Sequence, residues 1–403
     1  MQNGTSAQDA VILSAARTPQ GRFLGALSSL SAAELGRIAF RAALDHSGID
    51  PFDLREIIVG NVVSAGVGQA LPRQISIGAG MPEQIGGLAI NKVCGSGLKA
   101  VMLASSAIRA GDGETFLVGG VESMSNAPFL LDGHRQGHKY GHTTLRDSLQ
   151  SEGLWCTLCD WGMGNAAEFI ARQLEIERED MDQLAYDSHM KALAATREGK
   201  FRAEIVPVTV PTRKGAVIIE DDEPIRAETT LESLANLKPA FEADGRVTAG
   251  NAPGMNDGAA ALVVSSRAYA ERAGKQPLAR IVAYGQAAVE PAWIFYAPVK
   301  AIPIALAKAG WTVKDVDLFE INEAFAAQVL ADVKGMAREG HVIPPEKLNI
   351  HGGAIALGHP LGASGARVLI TLIHALIDRG LKRGVAALCL GGAEAVAMCV
   401  EVE

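Results

Sequence analysis

Three short stretches carry side chains that can attack a carbonyl or exchange protons. Cys94 stands in "NKVCGSGLKAVMLAS" (residues 91–105), just ahead of an apolar-periodic run that reads as a helix. A helix N-terminus favours thiolate over thiol, and a neighbouring histidine can take the proton. The same position suits a buried filler thiol, because free cysteine is among the most buried residue types. His359 lies in "HGGAIALGHPLGASGAR" (351–367), where glycine and alanine dominate the residues before it. Such a run folds as a tight loop rather than a core strand, and it delivers the histidine just before a second helix. A structural helix-entry loop with a hydrogen-bonded histidine fits that pattern as well. Cys389 ends the apolar strand "GVAALC" and reads first as core, yet Gly391 and Gly392 after it point to a strand end that opens onto a site.

Other candidates are weaker. Cys156 and Cys159 form a lone C-x-x-C with no second pair, so zinc is not expected, and Cys399 reads as core. His134, His138 and His142 are spaced by four, but Gly137 and Gly141 between them rule out a metal-binding helix. No metal site is expected.

The elements that must position these residues alternate along the chain. "DAVILSAART", "LREIIVGNVV" and "ETFLVGGVE" read as strands, while 31–48 and 98–110 read as helices with glycine stops. The C-terminal part repeats the order: helix at "IPIALAKAG", strand at "VDLFEIN", helix at "GASGARVLITLIHALIDRG", then two strands across a glycine turn. This alternation predicts an α/β sheet. Details recur roughly 270 residues apart: Ser-Gly opening a helix, Gly-Gly-x-Glu after it, and an asparagine ending a strand at Asn61 and Asn322. Three landmarks in one order indicate a duplicated domain rather than a short-period repeat. Residues 123–248 belong to neither half and read as an insertion of helices and loops.

Composition bounds the rest. The chain has 403 residues, is 48% hydrophobic and 20% charged, and has room for two or three domains. A net charge of −8 argues against general nucleic-acid binding. The apolar runs are short and interrupted, so neither a membrane span nor a signal peptide is expected. Five cysteines, an odd number spread along the chain, do not make a disulfide framework and suggest a reducing, cytoplasmic setting.

Taken together, "NKVCGSGLKAVMLA", "VESMSNAP", "VTAGNAPGMNDGAAA", "INEAFAAQ", "HGGAIALGHPLGASGAR" and "CLGGAE" resemble the thiolase family, over nearly the whole chain. The resemblance implies a five-layer αβαβα fold made of two duplicated βαβαβαββ halves with an inserted loop domain. The expected domains are 1–122 plus 249–276, the loop domain 123–248, and 277–403. The resemblance also implies that Cys94 is acylated, His359 takes its proton, and Cys389 exchanges the proton of the acetyl carbanion. One oxyanion hole would use His359 with a water held by Asn322; the other would use the N–H groups of Cys94 and Gly391. Arg226 and Ser233 match positions that hold coenzyme A, and Leu154, Met163, Ala249 and Phe325 match the wall of the pantetheine tunnel and acyl pocket. The glycines beside Cys94 are expected to leave room for the thioester.

The implied activity is that of a short-chain acetyl-CoA C-acetyltransferase, with acyl-CoA and CoA as substrates, no resident cofactor, and no nucleic-acid or membrane partner. A broad-chain 3-ketoacyl-CoA thiolase is the alternative, and a catalytically silent acyl-CoA-binding or scaffold protein is the alternative of another class. A decarboxylating ketoacyl synthase would call for histidine in place of Cys389. Arg135, Gly137 and Gly141 match the family's tetramerising loop, so a homotetramer built from dimers is expected. Three positions depart from the family pattern: Pro253 replaces a serine, Gly162 replaces a histidine, and Ala393 replaces a glycine. Ala393 then needs either an ordinary backbone conformation or strain.

Overall fold

The computed structural model describes residues 6–403; residues 1–5, where the first domain was expected to begin, lie outside the described residues. In the first half, strands β1 (Ala10–Arg17), β2 (Glu56–Gly60), β3 (Gly86–Ile90), β4 (Thr115–Ser123) and β5 (Asn256–Ser266) form one sheet in the order β3-β2-β4-β5-β1. In the second half, β6 (Ala279–Ala288), β7 (Leu318–Ile321), β8 (Arg383–Leu390) and β9 (Glu394–Val402) follow the order β7-β8-β9-β6. Each half thus places its second strand parallel to the next and adds two antiparallel strands. The two sheets join edge to edge where Val11 and Ile12 of β1 pair with Arg280 and Ala279 of β6.

Helices complete the layers. Helices α1 (Ala32–Ser47) and α2 (Leu71–Gly78) cover the outer face of the first sheet. Helix α3 (Ser96–Ala110) lies between the two sheets. The insertion contributes α4 (Met163–Gln173) and α5 (Arg178–Arg197), then α6 (Ala297–Ala309) and α7 (Ala326–Arg338) cover the second sheet. Helix α8 (Leu361–Asp378) packs on α3 in the central layer. It is long and apolar enough to cross a membrane, yet nearly all of it is buried between the sheets, as a core helix is.

Local chemistry explains the boundaries. Ser31 and Glu34 cap α1 reciprocally, and Gly48 ends it at φ 61°. The central helices approach closely because they meet through glycine. A Cβ on Gly97 would lie 2.6 Å from the Ala366 nitrogen, and one on Gly365 would lie 2.4 Å from the Leu98 nitrogen. The same contact is made twice about a pseudo-twofold axis, which ties the duplication in sequence to the packing.

One sequence landmark is corrected. Gly119 and Gly120 lie inside β4, whereas Gly391 and Gly392 form the turn after β8. Gly60 pairs with Gly120, and Ile321 pairs with Ala387, so the structural counterpart of Cys389 is Glu122. The Gly-Gly-x-Glu likeness is a coincidence of sequence.

Between Ser123 and Asn256 the described chain adds no strand to the large sheet. This region holds α4, α5 and small hairpins, and a buried charge cluster fastens it to β1. Arg17, fully buried, donates to Glu204 at 2.7 Å and to both oxygens of Asp222 at 2.7 and 2.8 Å.

Candidate active site

A largely apolar cavity of about 490 Å³ opens where the two halves and the insertion meet, and Cys94, His359 and Cys389 all line it. Cys94 sits two residues ahead of α3 on a tight turn. Val93 before it is held at φ 46°, a conformation that a β-branched residue adopts only under strain. Two neighbours hold the turn: Asn91 Oδ1 accepts the Val93 N–H at 2.9 Å, and Ser96 Oγ donates to the Val93 carbonyl at 2.7 Å. This strained turn stands directly before Cys94, which lines the cavity.

The N–H groups of Gly391 and of Cys94 itself both reach the Cys94 sulfur. They favour thiolate, but burial outweighs them and pushes the Cys94 thiol up to about 12. The resting group is therefore a thiol, not the thiolate that a helix N-terminus suggested.

His359 is placed by the glycine-rich loop ahead of it. Gly352, at φ 75°, packs against the Ser188 carbonyl, and a Cβ on Gly353 would collide with the Glu323 side chain at 2.3 Å. Glu323 in turn accepts from Ser188 Oγ at 2.7 Å, Asn349 Nδ2 at 3.0 Å and the Ile355 N–H at 3.1 Å. Gly358, at φ 104°, lets Asn256 approach, and Asn256 Oδ1 accepts the His359 N–H at 2.8 Å.

The imidazole tautomer follows from its neighbour. Ser364 Oγ donates to the Pro360 carbonyl at 2.9 Å, so at 2.7 Å from His359 Nδ1 it acts as acceptor. His359 thus carries its proton on Nδ1 and leaves Nε2 free to accept one. Burial, then the Arg367 charge, holds His359 down to about 3, which keeps the ring neutral.

Cys389 is buried at the end of β8, and burial pushes its thiol well above the usual range. After it, Gly392 and Ala393 turn the chain at φ 86° and 60°. Ala393 therefore takes the strained alternative. Gly391 packs on Val93, where a Cβ would stand 2.9 Å from the valine side chain.

Asn322 is fully buried behind this wall rather than on it. Its Oδ1 faces Arg367 at 3.5 Å, while its Nδ2 has no partner among the described residues. Arg367 is itself buried and paired with Glu320 at 3.1 Å.

Leu154, Met163 and Phe325 line the cavity, joined by Phe241, Ile294, Phe295 and Leu361. Pro253 and Gly162 line it too, so both departures face the site. Arg226, Ser233 and Ala249 lie outside the lining. Arg226 Nη1 donates to the Ala249 carbonyl at 3.3 Å, and the exposed Ser233 helps cap a short helix, Leu231–Ala235. Gly250, next to Ala249, packs on Leu234, so the three gather in one outer patch.

The glycines beside Cys94 do not make room for a thioester. Gly95 faces Leu390 and Val396, and Gly97 faces α8, so both serve packing. Cys156 and Cys159 sit on the hairpin Trp155–Cys156/Trp161–Gly162, within hydrogen-bond contact of each other. His134, His138 and His142 are in an exposed loop. Sequence reading passed over Val93, Asn256 and Ser364. The signal for Ser364 was present, as a hydroxyl in the first turn of the helix that follows His359.

Comparison with known proteins agrees along the whole length. A model described as "Thiolase, N-terminal domain" matches residues 10–268, and "Thiolase, C-terminal domain" matches 275–402. The chain is 49% identical over 394 residues to an acetyl-CoA acetyltransferase of Cupriavidus necator, covering 98% of this chain and 99% of that protein. It is 48% identical over 392 residues to an acetyl-CoA acetyltransferase of Pseudomonas aeruginosa, covering 97% and 98%. The crystal structure of the Bacillus anthracis acetyl-CoA acetyltransferase superposes with a TM-score of 0.95 at 41% identity, covering 98% of this chain and 99% of that one.

Proposed function

The chain belongs to the thiolase family, and from that premise we propose that it is an acetyl-CoA C-acetyltransferase acting reversibly on short 3-ketoacyl-CoA. The observation that carries this reading is the convergence of two thiols and one neutral imidazole on a single apolar cavity.

In thiolysis, Cys94 Sγ attacks the 3-keto carbon while its proton passes to His359 Nε2. With a thiol near 12 and a histidine near 3, a preformed ion pair is unfavourable, so proton transfer accompanies attack. Negative charge on the attacked oxygen is met by His359 and by Asn322, whose free Nδ2 acts through a bound water. The C2–C3 bond then breaks, its electron pair goes to C2, and Cys389 protonates the departing acetyl-CoA carbanion. The acyl group stays on Cys94 as a thioester, its oxygen facing the N–H groups of Cys94 and Gly391. A CoA thiol takes the acyl group in the second half of the cycle: its proton goes to the Cys389 thiolate, and the proton held by His359 returns to the released Cys94 sulfur. Coenzyme A is substrate throughout, and no resident cofactor is needed. Arg226, Ser233 and Ala249 are assigned to the outer end of CoA, with Leu154, Met163 and Phe325 along its inner path.

A broad-chain thiolase is favoured by one observation: Gly162 leaves bare a piece of cavity wall. Steady-state thiolysis across 3-ketoacyl-CoA chain lengths separates the two. A marked preference for the four-carbon substrate supports the short-chain reading, and equal or higher rates on eight to sixteen carbons reject it.

The assembly we propose is a homotetramer of paired dimers in the cytoplasm. Exposed Phe129, Tyr140 and Leu145 on the loop around Arg135 support the first part, and five free thiols support a reducing compartment. A light-scattering mass near the 42.2 kDa protomer at micromolar concentration contradicts the tetramer.

A further inference from the structure

The two N–H groups that meet at the Cys94 sulfur come from turns far apart in sequence. One turn carries Lys92, Val93 and Cys94 into α3; the other carries Gly391, Gly392 and Ala393 from β8 to β9. Each turn holds one strained residue, Val93 at φ 46° and Ala393 at φ 60°. A charge stands on the outer side of each strained residue. Lys92 precedes Val93, Glu394 follows Ala393, and Lys92 Nζ donates to Glu394 Oε2 across the gap.

The rest of the contact between the turns is apolar. Val93 packs on Gly391, and Gly95 faces Leu390 and Val396. Such packing excludes water but is non-directional, so it does not aim an N–H group. Among the described residues, the hydrogen bonds that join the two turns are the ion pair and the Gly391 N–H on the Cys94 sulfur. Each partner is also fixed within its own turn. The Lys92 N–H donates to Ser96 Oγ at 2.9 Å, and Glu394 opens β9 opposite Leu390. The other cation near the pair, Lys99 of α3, donates to Gln286 at 3.4 Å.

Stability does not account for the pair. The Lys92 and Glu394 side chains are 20% and 35% exposed, and ion pairs so open to water add little to folding. Neither residue lines the cavity, so any effect on the chemistry passes through the turns.

We propose that Lys92 and Glu394 are positioning residues for the acyl-cysteine oxyanion hole: their ion pair clamps the two turns so that the N–H groups of Cys94 and Gly391 converge on one oxygen. The proposal rests on the reading of Cys94 as the acylated residue. The clamp matters most when the thioester oxygen gains charge, during acyl transfer between Cys94 and CoA. A donor moved out of line loses hold of that charge, because hydrogen bonds weaken steeply with angle.

Exchange of acetyl groups between acetyl-CoA and isotopically labelled CoA isolates this step. Cys94 gives its proton to His359 as it attacks, and the leaving CoA sulfur takes one from Cys389; labelled CoA then reverses both transfers. Lys92→Met and Glu394→Gln should each lower the exchange kcat about tenfold, less than the ~10²–10³-fold loss that follows outright removal of a donor. KM should stay within about twofold, and the urea midpoint near that of the parent. The double variant should lose no more than either single, because both break one bond. Lys92→Arg, which keeps the charge, should retain most of the rate. Parent rates in both single variants overturn the proposal, as do losses that multiply in the double variant. Peptide mass spectrometry of the parent after acetyl-CoA tests the underlying reading separately. Acetyl on Cys94 with unchanged exchange in the variants rejects the clamp alone, whereas acetyl on another residue rejects the reading beneath it.

Discussion

Glu122 and Cys389 occupy equivalent places in the two halves, each two residues beyond the partner of the strand end that precedes an asparagine. In the first half the Glu122 carboxylate gathers donors: Asn61 Nδ2 at 2.8 Å and the N–H groups of Val62, Val63 and Gly362 at 3.0, 3.1 and 2.9 Å. In the second half the same place holds a thiol that faces Cys94. Helix pairing matches Gly97 with Gly365, so Cys94 corresponds to Gly362. A carboxylate-to-backbone bond in one half is thus a thiol-to-thiol approach in the other. One half of a duplicated scaffold became structural, and its twin reactive.

Glu122→Gln tests the structural side. Glutamine turns an N–H₂ toward a ring of donors, leaving at least one buried N–H without an acceptor. Stability should fall by about 2–4 kcal/mol, read as a lower urea midpoint with an unchanged slope. A midpoint within about 0.5 kcal/mol of the parent would mean that the donors are satisfied otherwise.

Gly97→Ala distinguishes packing from space for the acyl group. The new Cβ would stand 2.6 Å from the Ala366 nitrogen and 3.1 Å from the Gly362 carbonyl oxygen. Overpacking of this kind costs about 1–3 kcal/mol or more. The folded fraction should still be acetylated on Cys94. Normal stability with lost acetylation would restore the view that this glycine makes room for the thioester.

Ser364→Ala removes the acceptor that fixes the tautomer of His359. Thiolysis kcat should fall about tenfold or more while KM changes little, because the ring can then present the wrong nitrogen. Full activity in the alanine variant would show that the tautomer is set by something else.

The acid limb of stability should report His359. Its folded value near 3 lies below the unfolded value of about 6.5, so the unfolded chain takes the proton first as pH falls. The contribution is fully present above pH 6.5 and is lost as pH drops toward 3. Urea unfolding of the parent should lose roughly 3 kcal/mol more than His359→Asn between pH 7 and pH 4. Parallel curves for the two proteins would contradict this.

Much of this arrangement was legible in the residues, and the failures have physical causes. Helix ends were readable where caps mark them, as at Ser31 and Gly48. Cys94, His359 and Cys389 stood out because each adjoins glycines at an element's end. Strand β3 and helix α2 were passed over; β3 carries two glycines and is exposed on both faces, so it lacks the apolar alternation of a strand. The exchange of Glu122 for Cys389 was hidden because the sequence motif aligns Glu122 with Glu394, and a shift in register along the strand leaves no trace in a motif. The state of Cys94 was not readable for a similar reason: helix position is visible in sequence, but burial, which dominates here, is not. Ala393 at φ 60° shows that a position marked for glycine can hold alanine under strain.

The central claim is that Cys94 is the residue acylated and Cys389 is not. Incubation with acetyl-CoA, digestion and peptide mass spectrometry test it most directly. The acetyl group should appear on the Cys94 peptide, vanish in Cys94→Ala, and persist in part in Cys389→Ala, which should no longer turn over. An acetyl group found instead on Cys389 or Cys156 would contradict the assignment of roles.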